Sequence, residues 1–409
     1  MTGYSRSFKA LLAGEIVSEF GGTAGGIING LLLYDITGSR EWLGAVWLVY
    51  FIPSLALQFF GAPFLNRIKK GKALRNIQLI RGLAYLFPFA GYFSGSDAAA
   101  IAGLVVLQSI LGLLQPLYAS LSFSLLPDIC SKSQLADANG LIDGVLRLMN
   151  FLAPGAASLL LMALPMQGLY IFTCAMFLLS FLSLLLIRPE HEETAIQIWS
   201  KKFWWQELKE GYKTFFTLKA LRKFTFLSSA VQFAVGASMV LSVPFIKGEL
   251  GGESWQYALF SGSFPIGYTL GMILLAKLPK TNIIMYAGLA GGGLSFVLLS
   301  FVHSVYAACL CELAGGLIFP LFNANSASLF QQEAPKERLP QLSSVRLLFL
   351  RVTMPLGLLF ASADFIHLTA RNIYFTSGSL IVLPGIFYCI KSVQKAKEFT
   401  PAADQHKES

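Results

Sequence analysis

Between Gln108 and Leu135 the chain reads QSILGLLQPLYASLSFSLLPDICSKSQL, and between Glu312 and Leu339 it reads ELAGGLIFPLFNANSASLFQQEAPKERL. Laid over each other at a separation of 204 residues (Pro116 to Pro320), without gaps, they match at further positions. Among these are Gly112 and Gly316, Leu117 and Leu321, Ser122 and Ser326, Ser124 and Ser328, Leu125 and Leu329, Lys132 and Lys336, and Leu135 and Leu339. Arg147 and Arg351 keep the same separation farther on. That separation is half of a 409-residue chain, so the sequence is read as two copies of one unit.

The composition says what kind of unit. Hydrophobic residues make up 55% of the chain and charged residues only 13%, with mean hydropathy +0.62. A soluble domain carries about 25% charged residues. Apolar runs near 20 residues recur along the chain, each long enough to cross about 30 Å of hydrocarbon. The net charge of +9 would suggest a nucleic-acid partner in a soluble protein. Here the Lys and Arg residues fall in short loops between apolar runs, the pattern of the positive-inside rule, and no nucleic-acid partner is expected. The first apolar run is too long for a signal peptide and lacks a small-residue cleavage site, so it is a retained helix. Five cysteines, four of them in predicted spans, are read as small packing residues rather than disulfide partners.

In chain order, the first span covers about 8–34. Gly22, Gly26 and Gly30 recur in it every four residues, a stripe expected to let another helix approach closely. The second span ends near Leu65. It is followed by Asn66-Arg67-Ile68-Lys69-Lys70-Gly71-Lys72, a cationic loop assigned to the cytoplasm. Four more spans complete a first six-helix bundle over residues 1–188. Residues 189–223 form a cytoplasmic linker. Within it, Phe203 to Lys213 mixes aromatics with Lys as an amphipathic helix on a membrane surface would. A second six-helix bundle covers 224–391, and 392–409 is a polar cytoplasmic tail. The fold class expected is an all-α membrane protein with twelve transmembrane helices in two pseudo-symmetric bundles. It spans the cell membrane many times, with both termini inside.

Several local motifs then resemble a known family. Tyr34-Asp35-Ile36-Thr37-Gly38-Ser39 is similar to its turn after the first helix, and Gly61 to Arg67 to its loop 2–3 signature. Pro116, Pro127-Asp128, Leu135 and Ala138-Asn139 resemble its helix 4–5 pattern. Trp205 to Gly211 resembles its linker helix, and Tyr257, Gly267 and Gly271 its eighth helix. Over nearly its whole length the chain thus resembles the major facilitator superfamily. The closer match is the drug:proton antiporter branch that includes macrolide-efflux-type exporters. The resemblance implies alternating access and export of drug-like compounds. It also implies a cytoplasmic gate at Asn66, Arg67 and Asp128. The family's loop signature has an Asp where this chain has Asn66, which cannot form an ion pair, so a weaker inner gate is expected.

Ionisable residues inside spans mark function by default, because a charged one costs roughly 2.5–3.5 kcal/mol at the helix centre. Glu15 and Glu19 share a face of the first span, and Glu312 lies among apolar neighbours in the tenth. These three are the proton-coupling candidates. For Glu15 and Glu19, an interfacial pair held by loop cations is the alternative. For Glu312 it is a protonated carboxyl bonded within the bundle. The repeat mate of Glu312 is Gln108. Asp143 and Arg147, four apart, can pair with each other, whereas Arg351 needs an acid from elsewhere, such as Asp128. Tyr34, Trp47, Phe233 and Tyr268 are aromatics able to line an apolar cavity, though packing roles are commoner for each. The four histidines lie in predicted loops or tails, which gives no metal site, and there is no phosphate-cradling loop. No cofactor, metal or enzymatic activity is expected. The function expected is proton-coupled efflux of small amphiphilic compounds by a monomer. A facilitator or exporter of a metabolite, siderophore or lipid-like molecule, and a non-transporting sensor or scaffold, are the alternatives. The partners are a small-molecule substrate, protons and the lipid bilayer.

Overall fold

The two copies of the repeat fold alike to the residue. In the computed structural model, which describes residues 3–37, 40–66, 68–187, 201–362 and 368–399, the helix bearing Gln108 ends at Ile129 and the helix bearing Glu312 ends at Glu333. A single 3-10 turn follows each, Lys132–Gln134 and Lys336–Arg338, and the next helices start at Leu135 and Leu339. Each of these boundaries keeps the separation of the sequence match.

The first six spans are α1 (Arg6–Thr37), α2 (Arg40–Phe60) with α3 (Ala62–Leu65), α4 (Lys70–Ala84) with α5 (Leu86–Phe93), α6 (Asp97–Ile129), α7 (Leu135–Ala163) and α8 (Met166–Leu184). The linker helix is α9 (Lys201–Thr217). The second six are α10 (Lys219–Val243), α11 (Ser254–Lys277), α12 (Asn282–Leu299), α13 (Val305–Glu333), α14 (Leu339–Ser362) and α15 (Ala370–Phe399). The protein is therefore all-α, with twelve membrane spans. Among the described residues, nine helices are long and apolar enough to cross by length and composition alone.

Two expected continuous spans are interrupted, and proline explains both. Pro63 has no N–H to offer the Phe59 carbonyl, and the second span breaks at Gly61. Pro88 likewise leaves the Ala84 carbonyl without its donor, and the third span breaks at Tyr85. Entry points follow local chemistry: the Ser96 hydroxyl accepts from Ala99 N–H to start α6, and Thr281 accepts from Ile284 N–H to start α12. At the far end α15 runs on to Phe399, so the predicted tail begins as helix.

Lipid supplies no hydrophobic drive between helices, so close packing holds them. Gly112 of α6 lies against α2, where an added Cβ would stand 2.3 Å from the Tyr50 carbonyl oxygen. Its repeat mate Gly316 of α13 lies against α11, with the same 2.3 Å to the Phe264 oxygen. The Gly22, Gly26 and Gly30 stripe does not make such a contact, contrary to expectation. Gly26 and Gly30 face open space, and the nearest atom to a Cβ on Gly22 is 3.5 Å away. The contact face of α1 is one residue over. Gly21 meets Met176 of α8 and Gly25 meets Tyr85, both at 2.6 Å.

The chain divides into two compact units that are not quite the two halves. Unit 1 is Met1–Gln134, Val145–Arg222 and Gln331–Leu348; unit 2 is Leu135–Gly144, Lys223–Phe330 and Phe349–Ser409. In unit 1 the start of α14 bonds to first-half residues: Ser343 donates to the Ser120 carbonyl and Ser344 to the Gln58 carbonyl. In unit 2 the start of α7 packs on second-half residues, with Gly140 against Leu275 and an ion pair from Lys280 to Asp137. The unit 1 core is built from Ile28, Leu32, Leu104, Leu107, Tyr170 and Phe177.

Candidate functional site

Unit 1 contains a cavity of about 430 Å³. The open glycine stripe of α1 forms one wall, and Glu19, Asn29, Tyr50, Arg81, Gln108 and Gln115 also line it. Ligand pockets run from about 300 to 1,000 Å³, so this one suits a small molecule.

A polar cluster includes two of the lining residues, Glu19 and Arg81. Glu15 of α1 is only 7% exposed, and its carboxylate accepts from the Ser122 hydroxyl of α6 at 2.7 Å. One turn on, Glu19 accepts from Asn150 Nδ2 of α7 at 3.0 Å, and the Thr23 hydroxyl donates to Asn150 Oδ1 at 2.8 Å. The buried guanidinium of Arg81 on α4 acts electrostatically on both carboxylates. It donates to Gln78 Oε1 at 2.9 Å, and Gln78 in turn donates to the Ser180 hydroxyl at 2.8 Å. Its plane lies 4.5 Å from the Phe177 ring centroid and 5.6 Å from that of Tyr118. Two acids and one fixed cation carry a formal charge of −1 when both acids are ionised, and one proton neutralises them.

Asn29 is 3% exposed, and neither its amide oxygen nor its nitrogen has a hydrogen-bond partner. A buried amide group left so costs of order 1–3 kcal/mol. Gln115 Oε1, on α6, is also buried and unpaired, and Gln115 lines the same cavity.

The remaining candidates lie apart. Gln108 lines the cavity, while its mate Glu312 is half-buried on α13 in unit 2. Glu312 has Cys309 and Tyr374 of α15 in electrostatic range and no hydrogen-bond partner among the described residues. Asp143 accepts from the Tyr268 hydroxyl of α11, which also accepts from Asn323 Nδ2 of α13 at 3.2 Å. Tyr268 is thus a fully buried partner of Asp143 rather than a cavity aromatic. Arg147 on α7 and Arg351 on α14 are half-buried. Tyr50 and Tyr85, not Tyr34, line the cavity of unit 1, and the Trp47 side chain lies outside the described residues.

Of the expected gate residues, Asn66 and Asp128 both lie in unit 1, each with its own partner. Asn66 and Gln341, at the start of α14, pair reciprocally. Asn66 Nδ2 donates to Gln341 Oε1 at 2.9 Å, and Gln341 N–H donates to Asn66 Oδ1 at 3.0 Å. Gln341 Nε2 also donates to the Glu207 carbonyl of α9 at 2.9 Å. The α9 backbone presses so close at Gly211 that a Cβ there would stand 1.9 Å from Gln341 Nε2. Arg338 bonds to Glu210, and Trp204 Nε1 donates to the Phe60 carbonyl at 3.0 Å. Asp128 is held by Lys70 at 2.6 Å, and Lys70 also donates to the Ser124 carbonyl. Arg67 lies outside the described residues.

Arg81 and Gln341 are central here, and sequence reasoning singled out neither. Arg81 was within reach: it is the sole charge from Asn76 to Ser96, inside an apolar run, and an intramembrane ion deserved the same weight as the glutamates. Gln341 carried no such signal.

Comparison with known proteins agrees with this architecture. The family model described as Major Facilitator Superfamily matches residues 11–403. The "Uncharacterized MFS-type transporter YfmI" of Bacillus subtilis (strain 168) is 20% identical over 398 residues, spanning 94% of this chain and 96% of that protein. Among solved structures, the human organic anion transporter MFSD10 (TETRAN) aligns at TM-score 0.73 and 15% identity, over 94% of this chain and 99% of its own. A bacterial homologue of the iron transporter ferroportin, in its outward-facing state, aligns at TM-score 0.73 and 16% identity over 95% and 100%. The E. coli fucose:proton symporter FucP aligns at TM-score 0.71 and 14% identity over 93% and 98%. At such identities these structures speak for the fold alone.

Proposed function

Because the chain belongs to the Major Facilitator Superfamily, we propose that this transporter exports small amphiphilic, drug- or antibiotic-like compounds in exchange for protons. The observation that carries the coupling is the cluster of Glu15, Glu19 and Arg81 at a cavity inside a membrane-spanning bundle. A proton taken up by either carboxylate cancels the cluster's net charge, and a proton released restores it. Glu312 is a second acid of the same kind in unit 2.

The energy suffices. One charge crossing the membrane potential supplies about 2.3 kcal/mol per 100 mV. At about 1.4 kcal/mol per tenfold, that sustains a gradient of roughly 40-fold for a neutral substrate. Alternating access rocks the two bundles about the site. In this reading the cation-rich end faces the cytoplasm of a cell-membrane monomer, and the Asn66–Gln341 pair is a latch that must open in each cycle.

The test is proton movement in proteoliposomes carrying a pH-sensitive dye, on addition of a panel of amphiphilic antibiotics. A proton flux evoked by at least one compound, and lost in Glu19→Gln, is the expected result. Movement of a compound without any proton flux would overturn the coupling. Full proton-driven accumulation in Glu19→Gln and Glu15→Gln would move it to Glu312.

A further inference from the structure

The wall of the unit 1 cavity has a shape and an unused hydrogen-bonding capacity that together describe a ligand. Gly22, Gly26 and Gly30 stand four residues apart on one face of α1, with nothing within 4 Å of a Cβ on the latter two. At 1.5 Å per residue they make a side-chain-free strip about 12 Å long. Asn29, between Gly26 and Gly30 in the same wall, leaves both an acceptor and a donor unspent. Gln115 leaves a further acceptor unspent. The charged groups of the cavity already stand against each other: Arg81 acts on Glu15 and Glu19, Glu19 accepts from Asn150, and Arg81 donates to Gln78, while Arg81 Nε and the Tyr85 hydroxyl are buried and unpaired. What the cavity offers a ligand is a flat apolar strip, neutral amide and hydroxyl groups, and one cation whose charge the two acids already balance.

Resting on the transport reading above, we infer that this cavity is a substrate subsite for uncharged, flat amphiphiles that carry a carboxamide or similar neutral donor–acceptor group. The ring system lies along the glycine strip, and the neutral polar group pairs with Asn29. A flat strip accepts ring systems of differing outline, whereas Asn29 demands that one neutral donor–acceptor be present. Any side chain at Gly26 takes up space the ligand would fill, and removing the Asn29 amide removes its partner.

The probe is tritiated benzanilide, a flat amide about the length of the strip, and its hydrocarbon isostere is trans-stilbene. Equilibrium binding to the full chain in nanodiscs is measured against empty nanodiscs. The inference predicts saturable benzanilide binding that is weakened tenfold or more in Asn29→Leu and lost in Gly26→Phe. It also predicts that stilbene binds wild type at least tenfold more weakly than benzanilide, and is insensitive to Asn29→Leu. Gly26→Phe extends into open space, so it tests the site independently if Asn29→Leu fails to fold. Equal benzanilide binding by wild type and both variants, or none by wild type, would overturn the inference. Asn29-dependent binding without proton flux in the antibiotic panel leaves the subsite standing and removes the coupling. Coupled flux without Asn29-dependent binding does the reverse.

Discussion

Asn66→Asp restores the residue type of the family's loop signature, and the structure predicts that it loosens the latch rather than tightening it. Asn66 both gives and takes: its Nδ2 serves Gln341 Oε1, and its Oδ1 receives the Gln341 N–H. A carboxylate keeps the second bond and loses the first, setting two acceptors face to face beside a fully buried Gln341 side chain. Turning the Gln341 amide over does not help, because its Nε2 is already committed to the Glu207 carbonyl. Leaving that oxygen unpaired costs about 1–3 kcal/mol. A negative charge near the start of α14 returns about 0.3–1 kcal/mol. The net, about 1–2 kcal/mol, makes the open latch 5- to 30-fold more populated. Hydrogen exchange reads this directly. The Gln341 N–H is among the first of α14, so it has no intrahelical partner, and Asn66 is what protects it. Its exchange in nanodiscs is expected to accelerate by that factor in Asn66→Asp. In a Gln341→Ala background the acceleration should shrink, as coupled neighbours require. Exchange at Gln341 that is unchanged or slower in Asn66→Asp would refute the reasoning.

Gly112→Ala and Gly316→Ala each force a helix pair apart at a 2.3 Å contact, and each should cost about 1–3 kcal/mol in thermal unfolding in detergent, while Gly26→Ala costs nothing measurable. Arg81→Gln leaves the buried Glu15 and the half-buried Glu19 without their cation. It should destabilise the protein at neutral pH, and the deficit should shrink as pH falls and the acids are neutralised, which unfolding midpoints taken across pH would show. Burial pushes the Cys130 thiol, beyond the end of α6, up to about 12, so the thiol stays protonated below that pH. Maleimide labelling at pH 8 should therefore spare Cys130 in the folded protein and reach it only after denaturation.

The sequence by itself determined the class of fold and its duplication. Apolar run length measures a span against the bilayer, and a constant separation between Gly112, Pro116, Lys132 and their mates is a statement about the chain alone. The same separation governs where α6 and α13 end, where the 3-10 turns lie and where α7 and α14 begin, because those boundaries follow from local residues. It also drew attention to Glu15, Glu19 and Asn66 by their type and place. Tertiary structure decided everything that depends on which face of a helix meets which neighbour. A period of four fits Gly22, Gly26 and Gly30 to a helix contact or to a cavity wall equally well, and only the position of α8 and Tyr85 chose the wall. Likewise the partners Ser122 for Glu15, Asn150 for Glu19 and Gln341 for Asn66 lie more than 100 residues from the groups they serve. Hydrogen bonds of that range are selected by the packing of whole helices, so no local pattern announces them.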